Sequence, residues 1–180
     1  QHNRNGLRMI HFPQERAIVA RQIANRLAEL LAFQYSSIQP VPEWEYVDVG
    51  TRQDVAPVPH AGWQPYELGS WWGGQDVTCW FRARVATPEP KAGESAVCLL
   101  NPGGESLVLV NGEPLQGLDA NRQEVVLPRR FWGKNVELVL QSYSSPSNSN
   151  TGRRRFSVAA IALRDELIRS FYWDLKVLIN

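Results

Sequence analysis

Seven tryptophans stand in 180 residues, beside only three histidines and two cysteines. Trp63, Trp71, Trp72 and Trp80 fall within one short interval of the chain. An indole ring offers a sugar a flat apolar face to stack on, and its polar edge adds a directional hydrogen bond. The run Trp71-Trp72-Gly73-Gly74 adds glycines that let a backbone come close to a ligand or a neighbouring domain. Two readings of this segment are open: contact with sugar, and burial in a core or against another domain.

The residues that would perform catalysis are missing. His2, His11 and His60 form no His-Glu-x-x-His or His-x-Asp pattern, and Cys79 and Cys98 are not spaced as Cys-x-x-Cys. No Gly-x-Ser-x-Gly elbow, phosphate loop or dinucleotide fingerprint occurs. Glycoside hydrolysis needs two carboxylates across the scissile bond. Glu43 with Glu45, and Asp165 with Glu166, are the pairs to weigh. A solvent-facing strand explains the first pair and a helix amino terminus explains the second. Arg153, Arg154 and Arg155 form a basic cluster at the end of a polar loop, suited to solvent or to an interdomain contact. No catalytic residue, metal ligand or cofactor is assigned to this segment.

Composition sets the class of protein. Hydrophobic residues make up 43% and charged residues 21%, which suits a soluble globular fold. A net charge of +1 leaves no excess cation for nucleic acid. No apolar run approaches the ~20 residues of a membrane span. The cysteines sit in apolar runs and are expected as buried, reduced thiols. Together with the lack of any Asn-x-Ser/Thr acceptor, this favours the cytoplasm.

The elements that must carry the tryptophans follow from periodicity. Val19, Ile23, Leu27, Leu30 and Leu31 recur at helical spacing between Gln14 and Gln34, behind Pro13. Ser36, Ser37, Pro40 and Pro42 then break that helix. From Glu43 the period becomes alternating. Strands are expected at Trp44–Val47, Cys79–Val85, Ser95–Leu100, Leu107–Val110, Glu124–Leu127, Val136–Gln141 and Phe156–Ala162. Asn111-Gly112 marks a tight turn, while Gly50–Gln75 and Ser142–Gly152 read as irregular. Ile168, Phe171, Tyr172, Leu175, Leu178 and Ile179 make an apolar stripe on a last helix, with Asp165 placed to cap it. That stripe is still in phase at Asn180, which reads as a boundary inside a longer protein. The expected divisions are a helical segment at 1–42, a sandwich domain at 43–164 and an exit helix at 165–180.

Several segments, in order, resemble the bacterial and cytosolic branch of glycoside hydrolase family 38 α-mannosidases. They are Trp71-Trp72-Gly73-Gly74-Gln75-Asp76-Val77-Thr78-Cys79-Trp80-Phe81-Arg82, then Gly103-Gly104-Glu105 through Val110-Asn111-Gly112-Glu113-Pro114. Gln116-Gly117-Leu118-Asp119, Arg154-Arg155-Phe156 and Phe171-Tyr172-Trp173-Asp174-Leu175 follow. The resemblance implies a mainly β, jelly-roll β-sandwich of the galactose-binding-domain type, with an amino-terminal helix and an exit helix. It implies a parent that is a zinc-dependent, retaining exo-α-mannosidase acting on α-mannoside glycans, and often a homo-oligomer. This family's zinc and nucleophile motifs match nothing here, so the segment alone is expected to be inactive. Trp71, Trp72, Gly73, Gly74 and Asp76 carry over as a rim contact with sugar or with the parent's catalytic domain. The alternative is an independent carbohydrate-binding module with a tryptophan platform.

Overall fold

The computed structural model describes residues 13–51, 57–146 and 152–178. They form a helical unit, up to Gln34 and from Leu167, and a β unit, Tyr35–Glu166.

In the helical unit, α1 (Pro13–Phe33) and α2 (Glu166–Leu178) border one cleft, lined by Ile23 and Arg26 of α1 and Leu175 of α2. Leu27 is buried and Ile23 and Leu30 are half-buried. Val19 and Leu31 are exposed, so the apolar stripe of α1 is narrower than its periodicity suggests. On α2, Ile168, Tyr172 and Leu175 are half-buried, while Leu167, Phe171, Trp173 and Val177 are exposed.

The β unit is a sandwich of two antiparallel sheets. One has the order β1 (Tyr35–Pro40), β12 (Val158–Asp165), β6 (Glu94–Asn101), β9 (Glu124–Val126). The other runs β3 (Gln64–Tyr66), β2 (Trp44–Thr51), β5 (Val77–Ala86), β10 (Asn135–Ser144), β7 (Glu105–Val110), β8 (Glu113–Leu118). A separate two-stranded ribbon pairs β4 (Trp71–Trp72) with β11 (Arg154–Arg155). Successive side chains of a strand point to opposite faces, so each alternating run delivers every second residue to the interior. Cys79, Phe81, Ala83 and Val85 of β5 meet Ala96, Cys98 and Leu100 of β6 and Leu138 and Leu140 of β10 in one core. Trp44, Tyr66, Trp72, Phe81 and Phe156 form an aromatic centre with edge-on contacts, Trp44–Phe156 at 4.9 Å and Trp72–Phe81 at 5.4 Å.

The sandwich differs from the sequence expectation in several places. Tyr35–Pro40 is strand β1, paired with β12, so the β unit begins at Tyr35 rather than at 43. Ser36 to Pro40 are all exposed, and an exposed edge strand carries no alternating signal. The stretch 50–75 contains β3 and β4, which are too short to show a period. Gln116-Gly117-Leu118, for which no strand was expected, belongs to β8, reached through Asn111 and Gly112 at φ 50° and 81°. Trp80 and Val139, which alternate with the core residues of β5 and β10, are buried with Leu109 in a second cluster on the outer side of the larger sheet.

Candidate functional site

The Trp71–Asp76 segment is the first strand of the ribbon and the turn that follows it, and its two tryptophans part company. Trp72 faces inward and is 3% exposed. Its indole N–H donates to the Pro102 carbonyl at 2.8 Å. Gly104 leaves room for that ring: a Cβ there would stand 3.0 Å from the indole and 2.5 Å from the Tyr143 carbonyl. Trp71 points the other way and is 59% exposed, as adjacent residues of one strand must be.

Backbone interlock holds the ribbon in place. Gly73 has φ 74°, and a Cβ on it would lie 2.8 Å from that of Ser144. The Ser144 hydroxyl is shared between the carbonyls of Gly74, at 2.6 Å, and Gly152. Gly152 in turn lies directly against Gly74, so any side chain at 152 would collide with the Gly74 carbonyl. Asp76 stands at φ 58° and accepts a hydrogen bond from the Tyr143 phenol at 2.6 Å. Across the ribbon, Arg155 pairs with Trp71 and donates to the Gly69 carbonyl at 2.6 Å. Arg154 donates to the Ser145 carbonyl at 3.1 Å, and Arg153 is exposed. The five residues singled out in the sequence are thus brought together, as a clamped ribbon with one indole in the core and one in solvent.

The other candidates are structural. Glu45 accepts from Arg82 Nε at 2.7 Å, with the Trp63 ring centred 4.3 Å from that guanidinium. Glu43 precedes β2 and is exposed. Glu166 accepts from Arg164 at 2.6 Å, and Arg164 also reaches Glu124 at 2.5 Å. The Tyr35 phenol donates to the other Glu124 oxygen at 2.5 Å. His60 is exposed; His2 and His11 lie outside the described residues.

Cys79 and Cys98 are free and buried. Burial pushes both thiols up to about 12; for Cys79 the nearby Asp48 carboxylate adds to the rise, and a hydrogen bond with the Gly73 backbone opposes it. Thiols held in that state are protonated and poor nucleophiles at neutral pH. No group of three or more His, Cys, Asp or Glu side chains that could hold a metal occurs among the described residues. One feature escaped the sequence: a surface groove of about 710 Å³ lined by Glu43, Glu45, Glu67, Glu137, Arg82 and Arg84. Its residues come from β2 and the residue before it, from β5 and β10, and from the residue after β3, too scattered in the chain to register as a motif.

Comparison with known proteins places this architecture. Residues 40–159 match the family described as "Alpha-mannosidase, jelly roll domain". Alpha-mannosidase 2C1 of Mus musculus is 36% identical over 69 residues, which is 37% of this chain and 7% of that protein. The Homo sapiens protein of the same name is 38% identical over 55 residues, 31% of this chain and 5% of that protein. Matched over so small a part, the chain spans only a small fraction of the length of these curated relatives. The FMN-binding β-glucuronidase of Faecalibacterium prausnitzii L2-6 superposes with a TM-score of 0.52 over 72% of this chain and 22% of its own. At 14% identity that likeness concerns the sandwich fold alone. With two thirds of its residues inside the matched region, the chain belongs to the α-mannosidase jelly-roll domain family.

Proposed function

We propose that this chain is the non-catalytic, amino-terminal β-sandwich of a zinc-dependent, retaining α-mannosidase. It packs on the catalytic domain of the same polypeptide through the segment of Trp71, Trp72, Gly73, Gly74 and Asp76, near the sugar-binding rim. The observation that carries this reading is the family match over 40–159. Supporting it, Glu45 and Glu124, two of the carboxylates within the matched region, are held in ion pairs with Arg82 and Arg164. The metal, the nucleophile and the general acid belong to the parent's catalytic domain. The parent acts on terminal α-mannosides in the cytoplasm, as a homo-oligomer.

The test compares the full-length parent with this chain alone on an aryl α-mannoside. The parent is expected to hydrolyse it with retention of anomeric configuration and to lose activity when zinc is chelated. This chain alone is expected to be inert. Turnover by the isolated chain, or a parent indifferent to chelation, would defeat the proposal.

A second reading, an independent carbohydrate-binding module, draws on the exposure of Trp71. Titration of the isolated chain with mannose oligosaccharides decides between them. Binding at roughly millimolar or tighter Kd supports the module, and silence supports the accessory role.

A further inference from the structure

The chemistry of the β4–β11 ribbon discriminates between a glycan and a protein surface. A sugar-binding platform needs an aromatic face together with free polar groups that read the ring hydroxyls. Here the second indole is spent in the core. The Asp76 carboxylate holds the Tyr143 phenol, and Arg154 is bonded to Ser145. What remains outward is one indole on a rigid base, with Arg155 opposite it across the ribbon and Arg153, also exposed, two residues before Arg155. A protruding tryptophan flanked by arginines, held so that little conformational freedom is lost on docking, has the composition of a protein-interface anchor.

We infer that the ribbon is a protein-docking knob. Trp71 seats in an apolar pocket on an acidic surface of the remaining part of the α-mannosidase polypeptide, and Arg153 and Arg155 face carboxylates at the rim of that pocket. This rests on the accessory-domain reading above and specifies the partner surface for it. Charge selects the occupant. Arg153 and Arg155 are both exposed, and a neutral α-mannoside offers nothing to balance their charge. The curated relatives, of which the matched segments are 7% and 5%, carry ample further polypeptide to supply such a surface.

The experiment uses the full-length enzyme, wild type and with Trp71→Ala or Arg153→Glu. Hydroxyl-radical footprinting of the wild type is expected to find Trp71 shielded. In both variants, limited proteolysis is expected to release the jelly-roll domain about thirty-fold faster, the effect of removing a tryptophan hot spot. KM for an aryl α-mannoside should stay unchanged, and so should hydrogen exchange in β5 and β10, which reports the domain's own fold.

A footprint showing Trp71 open in the wild type, or release rates unaltered in both variants, overturns the inference. So does a rise in KM for Trp71→Ala without faster release, which would make the indole a sugar contact. In each of these cases the reading as a non-catalytic mannosidase domain survives, without the ribbon as its contact, while the parent remains an active mannosidase. A parent without α-mannosidase activity sinks that reading by itself, whatever the ribbon does.

Discussion

At the scale of single residues, the adjacent tryptophans of β4 show how one peptide unit separates two roles. The sequence nominates Trp71 and Trp72 as a pair, and their types alone do not say which faces the core. That depends on where β11 and the loop at Pro102–Gly104 arrive, and both are set by contacts distant in sequence. The consequence is a sharp asymmetry in stability. Trp72→Ala removes a buried ring and leaves the Pro102 carbonyl without its donor, so it should cost about 3–5 kcal/mol in chemical denaturation. Trp71→Ala in the isolated chain should stay within about 0.5 kcal/mol of wild type. Equal losses at the two positions would show that the ribbon does not divide them between core and solvent. Gly152 belongs to the same argument. Its φ of 69° and its close fit against Gly74 leave no space for a side chain, so Gly152→Val should loosen the ribbon while leaving the sheets intact.

At the scale of elements, the strands legible in the sequence are mostly those whose alternation has a physical cause. β5, β6, β7, β10 and β12 face a core on one side, and their inward residues announce it. The unread strands β1, β3 and β8 lie at sheet edges, and β4 lies in the ribbon, where two or three residues or an exposed face leave no period. What ties β1 to the sandwich is instead polar, and a single sequence does not display it. Arg164, with its side chain 7% exposed, bridges Glu124 of β9 and Glu166, and Tyr35 of β1 completes the Glu124 carboxylate. Taking one member from a buried ion pair strands the other charge, which costs about 3–5 kcal/mol. Arg164→Ala should therefore lower stability by that amount in urea unfolding. Arg164→Met combined with Glu124→Leu should recover part of the loss, because no buried charge is then left unpaired. A double variant no better than Arg164→Ala would mean that the network's value lies in shape rather than in charge.

At the scale of the whole β unit, the edges and the core each limit what the molecule can do. All four sheet edges are blunted: β1 by a register shift between Ser36 and Gln39 and by Pro40, β3 by its three residues and Pro65, β8 by Pro114 and a bulge, and β9 by its length. Such edges disfavour strand-to-strand joining between copies. The interior, in turn, sets the response to pH. Burial raises the thiols of Cys79 and Cys98 from an ordinary 9.0 to about 12, and the Tyr66 phenol from 10.0 to about 12. Between those limits the native state keeps protons that the unfolded chain has released. Stability is therefore complete below about pH 9 and declines as pH climbs towards 12. Urea midpoints measured from pH 7 to 11 should fall only above 9. The decline should be shallower in Cys79→Ala/Cys98→Ala, even though that variant starts lower because of the volume it removes. At neutral pH neither thiol should react with an aromatic disulfide reagent until the chain unfolds. A midpoint that rises with alkali, or thiols that react in the folded state, would place the cysteines outside the core in which β5 and β6 hold them.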